Sequence, residues 1–155
     1  MSRISMQQLF MEKALSNAKR STCYRLNVGA VIVDPVYPNA ISDGYNGAAP
    51  KEPHCTGNTC PGRIPGMCPT IHAEVNALKK VPYNAVFHMY VSNSPCPDCC
   101  EYIIDDGRVK KVFFSIPYRE TSHLKILTDA GIGVFNLTPA GYLVDWLTND
   151  VLELV

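Results

Sequence analysis

The first helix of the chain is predicted by the spacing of its apolar residues. Ser5-Met6-Gln7-Gln8 has the form of a capping box, a pattern that satisfies free backbone N–H groups at a helix start. Apolar residues then recur three or four positions apart, at Met6, Leu9, Phe10 and Ala14. This periodicity predicts a helix from about residue 5 to about residue 20.

Short apolar runs further along the chain predict five strands. Val28 to Val33 is almost entirely apolar, as in a central strand that is covered on both faces. A weaker run predicts a strand at residues 40–44, and three further runs predict strands at residues 86–91, 111–116 and 132–137.

Four more helices are expected between and after these strands. Thr70 suits an N-cap and starts a helix that runs to about Lys80. Two others are expected over residues 95–107 and 122–130. From Pro139 onward, apolar residues again follow helical spacing, at Leu143, Trp146, Leu147, Val151 and Leu154.

The order α-β-β-α-β-α-β-α-β-α predicts an α/β protein with a single domain over residues 1–155. We expect three layers, α-β-α, with helices on both faces of a five-stranded mixed sheet. Residues 48–69 interrupt this order, because they contain five prolines and three cysteines without any periodicity. A loop longer than about 12–15 residues needs a special reason to be ordered.

Composition narrows the function classes. The 155 residues are 46% hydrophobic and 18% charged, and no apolar run approaches the roughly 20 residues of a membrane span. Met1 to Gln7 lacks the features of a signal peptide, so we expect a cytoplasmic protein. The formal net charge is zero and no basic stripe is evident, which disfavours a nucleic acid polymer as partner. In a reducing compartment, the seven cysteines suit metal ligands or buried thiols better than disulfides.

Two short motifs predict a catalytic metal site. An H-x-E motif begins at His72, and a P-C-x-x-C motif begins at Pro95. His72, Cys96 and Cys99 supply three zinc ligands and leave the fourth tetrahedral position for water. Glu74 is a carboxylate beside that position and not a ligand. This combination is the signature of zinc nucleobase deaminases.

The spacing of these residues suits helix starts. Cys96 and Cys99 share a helix face, and the helix dipole favours the thiolate there. His72 and Glu74 converge only if they lie in the first turn of a helix. A C-x-x-C motif alone also fits a redox pair or half a zinc finger, but a closed structural site would have four ligands and no use for Glu74. Cys100 faces away from Cys99, and we expect it to be buried and inert.

The hypothesis for the chemistry is hydrolytic deamination of a cytosine. Zinc lowers the pKa of bound water toward neutrality. Glu74 would take a proton from this water and return it to the ring nitrogen while C4 is attacked, after which ammonia leaves.

Longer stretches around the motifs resemble the deoxycytidylate (dCMP) deaminase family. They are Ser21 to Val33, Gly44 to Gly47, His72 to Leu78 and Ser94 to Cys99. The resemblance implies a cytidine-deaminase-like fold. It also implies that the protein is a hydrolase that acts on a cyclic amidine C–N bond and converts dCMP to dUMP for thymidylate synthesis. It also implies a homo-oligomer, commonly a hexamer. The enzyme would be activated by dCTP and inhibited by dTTP, and Mg²⁺ could bind together with these triphosphate effectors.

The same resemblance implies contacts to the substrate. The residues that carry over are Arg25, Asn46, Asn76, Ser94 and Tyr118. Asn46 corresponds to the anchor of the nucleoside, while Arg25, Asn76 and Tyr118 correspond to phosphate and ribose contacts, with Arg119 as a second candidate for phosphate. A monophosphate needs one or two cationic or amide donors. The alternatives are a surface salt bridge for Arg25 and a packed core aromatic for Tyr118.

Four cysteines outside the catalytic helix suggest a second, structural zinc. Cys55, Cys60 and Cys68 lie in the proline-rich segment, and Cys23 would tie this segment to the end of the first helix. Four thiolates fill all four coordination positions of zinc, so this site would be structural. Such a site would explain how the loop at residues 48–69 can be ordered. Ligands vary between Cys and His in the resembled family, so His54 is a rival ligand. The alternative is four unconnected thiols.

Other functions stay open from the residues alone. Free-nucleoside cytidine deaminases and tRNA adenosine deaminases share the zinc motif. A non-catalytic, zinc-stabilised regulatory module is the alternative from another class, and the intact Glu74 disfavours it.

Overall fold

The computed structural model describes residues 2–56, 60–64 and 67–155. Its helices are α1 Met6–Ala18, α2 Ala73–Leu78, α3 Pro97–Asp106 and α4 Lys125–Asp129. Its strands are β1 Gly29–Asp34, β2 Asn39–Tyr45, β3 Phe87–Asn93, β4 Val109–Ile116, β5 Gly133–Leu137, β6 Tyr142–Asp145 and β7 Val151–Leu154. Short 3-10 turns occupy Pro61–Arg63 and Ser122–Leu124. Within the described residues, no helix has both the length and the apolar character that a bilayer span demands.

All the strands belong to one mixed sheet, in the order β2-β1-β3-β4-β5-β6-β7. The central strands β3, β4 and β5 are parallel, and the other neighbouring pairs are antiparallel. The expectation of a mixed sheet is therefore confirmed, but the sheet has seven strands where the sequence analysis expected five.

Helices cover both faces of the sheet, as the three-layer prediction requires. One apolar cluster joins α2, α3 and α4 to one face, with Ala77, Ile103 and Leu127 among its fully buried members. The other cluster joins α1 to the opposite face through Phe10 and Met11. The sheet is thus the middle layer, and its buried strands form a rigid support for the loops at its edge.

Helix α1 begins where its cap predicts. The hydroxyl of Ser5 accepts a hydrogen bond from the backbone N–H of Gln8 at 3.0 Å. The helix then lies so close to β1 that a Cβ atom at Gly29 would approach the carbonyl oxygen of Ala14 to 2.0 Å. Only glycine allows this approach, so α1 is fixed against the start of β1.

The predicted helix after Pro139 is wrong, because this segment forms the hairpin of β6 and β7. Gly141 and Asn149 have φ values of +92° and +61°, which a right-handed helix cannot contain. The carboxylate of Asp145 accepts hydrogen bonds from the backbone N–H groups of Leu147 and Thr148 at 2.9 and 3.2 Å. Such side-chain bonds close a tight turn, and that turn sends the chain back along β6.

The two helices of the zinc motifs begin later than the sequence predicts. Helix α2 begins at Ala73, with His72 as its N-cap in place of Thr70. Helix α3 begins at Pro97, with Cys96 as its N-cap. Gly107 ends α3 with a φ of +79°, as its predicted position indicates.

Candidate active site

Two metal-ligand candidates occupy the N-caps of α2 and α3. His72 and Cys96 both have extended backbone conformations, with φ and ψ of −72° and 153° for His72 and −72° and 168° for Cys96. Their side chains therefore project beyond the helix starts. Backbone bonds between Gly47 and Ile71, of 2.8 and 3.1 Å, hold the chain just before His72 against the segment that follows β2.

Parallel strands bring the second motif to the same place. Asn93 at the end of β3 is paired with Ile116 at the end of β4. The backbone N–H of Ser94 also donates to the carbonyl of Ile116 at 3.0 Å. The loops that follow β3 and β4 therefore leave the sheet together, beside the starts of α2 and α3.

His72, Cys96 and Cys99 form a set of potential metal ligands. Nδ1 of His72 lies 3.3 Å from Sγ of Cys96 and 3.2 Å from Sγ of Cys99. Within the described part of the chain, this is the one group of three such residues whose ligand atoms all lie within 4.8 Å of one another. Nitrogen and sulfur ligands on a tetrahedral zinc, with bonds of about 2.1 and 2.3 Å, lie roughly 3.5 Å apart, so the donor set fits zinc.

The protein environment prepares one thiolate for a metal. The pKa of the Cys96 thiol falls to about 4, first because Cys99 hydrogen bonds to it and also because His72 does. The hydrogen bond to Cys96 raises the pKa of His72 to about 9, while the pKa of Cys99 rises because of its bond to Cys96 and its burial. The lowered pKa favours the thiolate form of Cys96, which is the form that binds zinc.

Glu74 is buried beside these ligands. Its side chain is 4% exposed, and its Oε2 lies 3.5 Å from Sγ of Cys99. Burial raises the pKa of the Glu74 carboxyl above its ordinary value of 4.5. A carboxyl group with a raised pKa is suited to accept and return a proton near neutral pH.

A cleft of about 460 Å³ opens over this group, which is within the size range of small-molecule sites. Its lining includes His72, Glu74 and Cys96. Among the predicted substrate contacts, the lining includes Arg25, Asn46, Ser94 and Tyr118, together with Arg119. The cleft is also lined by residues that the sequence does not predict as substrate contacts: Asn93, Thr70, Leu26, Val28 and Ala73. The position of Asn93, at the carboxyl end of a strand directly before Ser94, is the signal that could have found it.

The candidate phosphate contacts lie on two loops at the rim. The backbone N–H of Tyr118, after β4, donates to Oγ of Ser94 at 2.7 Å. The Tyr118 side chain is 44% exposed, so it is not a packed core aromatic. Arg25 lies on the loop between α1 and β1, where its guanidinium donates to the carbonyl of Gly62.

Asn46 braces the loop that carries Arg25. Its side-chain amide donates to the carbonyl of Leu26 at 2.7 Å, and its oxygen accepts from the backbone N–H of Val28 at 2.8 Å. It also accepts from the Ser21 hydroxyl at 2.6 Å. Asn46 therefore fixes one wall of the cleft while lining it.

Asn76 lies apart from the cleft lining. Its amide donates to the backbone carbonyl of Tyr45 at 2.9 Å and to that of Ile71 at 3.5 Å. These bonds tie α2 to the end of β2 and to the residue before His72. The predicted substrate contact of Asn76 thus stays a prediction, while its observed bonds are structural.

The remaining cysteines lie near one another beside the cleft. Burial raises the pKa of Cys55, and the nearby thiols of Cys60, Cys23 and Cys68 raise it further. A Cβ atom at Gly62 would lie 3.6 Å from Sγ of Cys60, 3.4 Å from Cβ of Cys68 and 3.1 Å from Nη1 of Arg25. Cys23 and Cys68 also line the cleft. Cys100 is fully buried, as expected, and the rival ligand His54 is exposed.

Comparisons with known proteins agree with this geometry. Residues 4–116 match the model of the cytidine and deoxycytidylate deaminase zinc-binding region. ComE operon protein 2 of Bacillus subtilis is 35% identical over all of this chain and 83% of its own length. Deoxycytidylate deaminase of Saccharomyces cerevisiae is 34% identical over 85% of this chain, which spans 45% of that protein. The crystal structure of dCMP deaminase from cyanophage S-TIM5 with dCMP and dUMP has a TM-score of 0.72 and 26% identity, over 88% of this chain and 99% of that one.

Proposed function

This chain belongs to the cytidine and deoxycytidylate deaminase family, and we propose that it hydrolyses dCMP to dUMP and ammonia. The observation that carries this proposal is the position of buried Glu74 beside the His72, Cys96 and Cys99 set, with Glu74, His72 and Cys96 lining one cleft. The cyanophage dCMP deaminase with dCMP and dUMP bound, which shares this fold, supports the choice of substrate.

The residues of the cleft suit the steps of hydrolysis. His72, Cys96 and Cys99 would hold zinc, which when bound supplies a water of lowered pKa. Glu74 takes a proton from the attacking water and delivers it to the ring nitrogen of cytosine as oxygen adds at C4. Glu74 then takes the second proton from the new hydroxyl group on C4 and passes it to the departing amino group, so that the C4 oxygen becomes a carbonyl and water and dCMP become dUMP and ammonia.

The rim of the cleft suits a nucleoside monophosphate. Arg25 and Arg119 are two guanidinium groups on separate loops of the lining, and each can form charge-assisted hydrogen bonds to a phosphate. With a net charge of zero, the chain carries no general attraction for a polynucleotide. Two local cations therefore fit a small phosphorylated substrate better than a tRNA.

We extend the proposal to regulation and assembly on the basis of the family resemblance. The enzyme would supply dUMP for thymidylate synthesis in the cytoplasm, as a homohexamer activated by dCTP and inhibited by dTTP. Mg²⁺ would accompany the triphosphate effectors.

Ammonia release from dCMP, deoxycytidine and tRNA tests the substrate. The zinc-loaded protein should act on dCMP and much more weakly on the other two, and dCTP should raise and dTTP should lower the rate. Arg25→Gln should raise KM for dCMP by about 10-fold or more, since a phosphate loses a charge-assisted partner. Arg20→Gln, at a cation near the ring of Tyr45, is the matched control and should leave KM unchanged. Equal activity on deoxycytidine, or preference for tRNA adenosine, would contradict the choice of dCMP.

We also propose that Cys23, Cys55, Cys60 and Cys68 hold a second, structural zinc. Two observations support this proposal: the thiols of Cys60, Cys23 and Cys68 raise the pKa of Cys55, and Cys60 and Cys68 both lie against Gly62. Elemental analysis of wild type should give two zinc ions per chain, and Cys60→Ser should keep one. Cys100→Ser, at a buried cysteine outside both sets, should keep two. One zinc ion per wild-type chain would contradict the second site.

A further inference from the structure

A histidine outside the cleft lining contacts the turn that carries Cys96. Nε2 of His123 lies 2.7 Å from the carbonyl oxygen of Pro95. That carbonyl belongs to the peptide group that leads into Cys96. Because a carbonyl oxygen can only accept, Nε2 of His123 carries the hydrogen and donates it.

The other ring nitrogen of His123 has no hydrogen-bond partner. Nδ1 is buried and unpaired within the described structure. Leaving a buried polar atom unpaired costs free energy, and most buried polar groups avoid it. Within the described residues, the bond to Pro95 is therefore the one hydrogen bond that orients the ring of His123.

The same loop carries residues at the rim of the cleft. Tyr118 and Arg119 precede His123 on the loop between β4 and α4, and both line the cleft. The backbone N–H of Tyr118 donates to Ser94 at 2.7 Å. Two hydrogen bonds, at Ser94 and at Pro95, therefore fasten this loop to consecutive residues of the turn that ends in Cys96.

We propose that His123 is a positioning residue that links the zinc-ligand turn to the loop of Tyr118 and Arg119. Its Nε2 donation fixes the peptide plane between Pro95 and Cys96, and with it the direction of the Cys96 thiolate. The same bond holds the loop in the position in which Tyr118 and Arg119 line the cleft. The inference rests on the proposed zinc site and substrate. It assigns His123 no contact with the reacting atoms.

Two amide substitutions separate the hydrogen bond from the ring. Gln places its amide nitrogen as many bonds from the backbone as Nε2 of histidine, so His123→Gln keeps a donor for Pro95. His123→Asn places its amide at the position of Nδ1 and cannot reach that carbonyl. His88→Asn, at a half-buried histidine on β3, is the control for losing an imidazole elsewhere.

Zinc release to a chromogenic chelator and the kinetics on dCMP measure the effect. His123→Asn should release catalytic zinc about 10-fold faster or more, which is the usual effect of losing a group that orients a metal ligand. Its KM for dCMP should also rise. His123→Gln should restore both values to near those of wild type, and His88→Asn should change neither.

Three results would overturn the inference. The first is zinc release from His123→Asn at the wild-type rate. The second is an equal change in zinc release and in KM for dCMP in His123→Asn and His123→Gln. The third is measured on the wild-type protein and does not depend on the folding of a variant. ¹⁵N NMR spectra of the imidazole groups of the zinc-loaded protein should show the His123 hydrogen on Nε2. A hydrogen on Nδ1 alone would refute the hydrogen bond to Pro95. A wild-type protein that binds no zinc would contradict the proposed function itself.

Discussion

Among the individual side chains, Glu74 carries the largest share of the proposed chemistry. Its burial and its 3.5 Å contact with Cys99 place a carboxyl of raised pKa beside the ligand set. The sequence predicts this arrangement because H-x-E and P-C-x-x-C are local patterns with fixed spacing. His123 could not be predicted in the same way, since its contact with Pro95 joins residues 28 positions apart and depends on how two loops leave the sheet.

Removing the acid–base function of Glu74 should abolish turnover. Glu74→Gln keeps the size and polarity of the side chain but cannot carry the proton, so kcat should fall by about 1000-fold or more. Zinc content should stay at the wild-type value, because Glu74 is not a ligand. Full activity in a zinc-loaded Glu74→Gln protein would remove Glu74 from the mechanism.

Among the secondary-structure elements, α2 and α3 place the ligands through their first residues. Sequence predicts that these helices exist, because a cap residue, a proline near a helix start and the Gly107 stop are local signals. Their starts are predicted two or three residues early, because the N-caps are the functional residues His72 and Cys96 themselves. The final hairpin is missed because the Asp145 turn and the positive φ of Asn149 outweigh an apolar spacing that also fits a helix.

Close packing of α2 on β2 gives a prediction for Gly44. A Cβ atom there would lie 2.3 Å from the carbonyl oxygen of Ala73 and 2.7 Å from the backbone nitrogen of Ala77, so α2 must shift. We expect Gly44→Ala to lower the free energy of unfolding by about 1–3 kcal/mol and to reduce kcat.

The matched control for this change is Gly131→Ala. Gly131 has a φ of +83° with open space around it, so alanine there should cost about 1 kcal/mol from backbone strain alone and leave kcat unchanged. Chemical denaturation and steady-state kinetics measure both effects. A Gly44→Ala protein with wild-type stability and kcat would contradict the packing account of α2.

The turn after α3 gives a prediction about pH. Arg108 pairs with Asp106 at 2.8 Å, and the two side chains are 15% and 13% exposed. The same guanidinium donates to the carbonyl of Leu78, the last residue of α2, at 3.1 Å and to that of Val81 at 2.7 Å. The hydrogen bond from Arg108 holds the pKa of Asp106 below its ordinary value of 3.8.

Because the pKa of Asp106 is lowered, its pair with Arg108 contributes fully to the free energy of unfolding well above pH 3.8. This contribution is lost as the pH falls through the pKa that Asp106 has in the folded protein. Asp106→Asn should cost about 2 kcal/mol at pH 7 and progressively less as the pH falls below 3.8. Urea denaturation across this range measures the difference, with exposed Asp105→Asn as the control. A difference that does not shrink at low pH would contradict the ion pair as its cause.

The molecule as a whole joins distant segments at one edge of its sheet. The parallel strands β3 and β4 end side by side, and the N-caps of α2 and α3 meet beside them. The sequence predicts the layers and the mixed sheet from element order, because parallel strands need crossover helices. Local sequence patterns do not predict that Arg25, Ser94 and Tyr118 meet at the rim, since they come together only through this topology; only the family resemblance groups them.

The central claim is that Glu74 and the His72, Cys96 and Cys99 set hydrolyse dCMP with water. Incubation of the zinc-loaded protein with dCMP in ¹⁸O-water, followed by mass spectrometry, tests this claim most directly. The account predicts dUMP that carries one ¹⁸O atom in its base, an equal amount of ammonia, and neither product from Glu74→Gln. Zinc-loaded protein that yields no dUMP, or dUMP without the label, would contradict it.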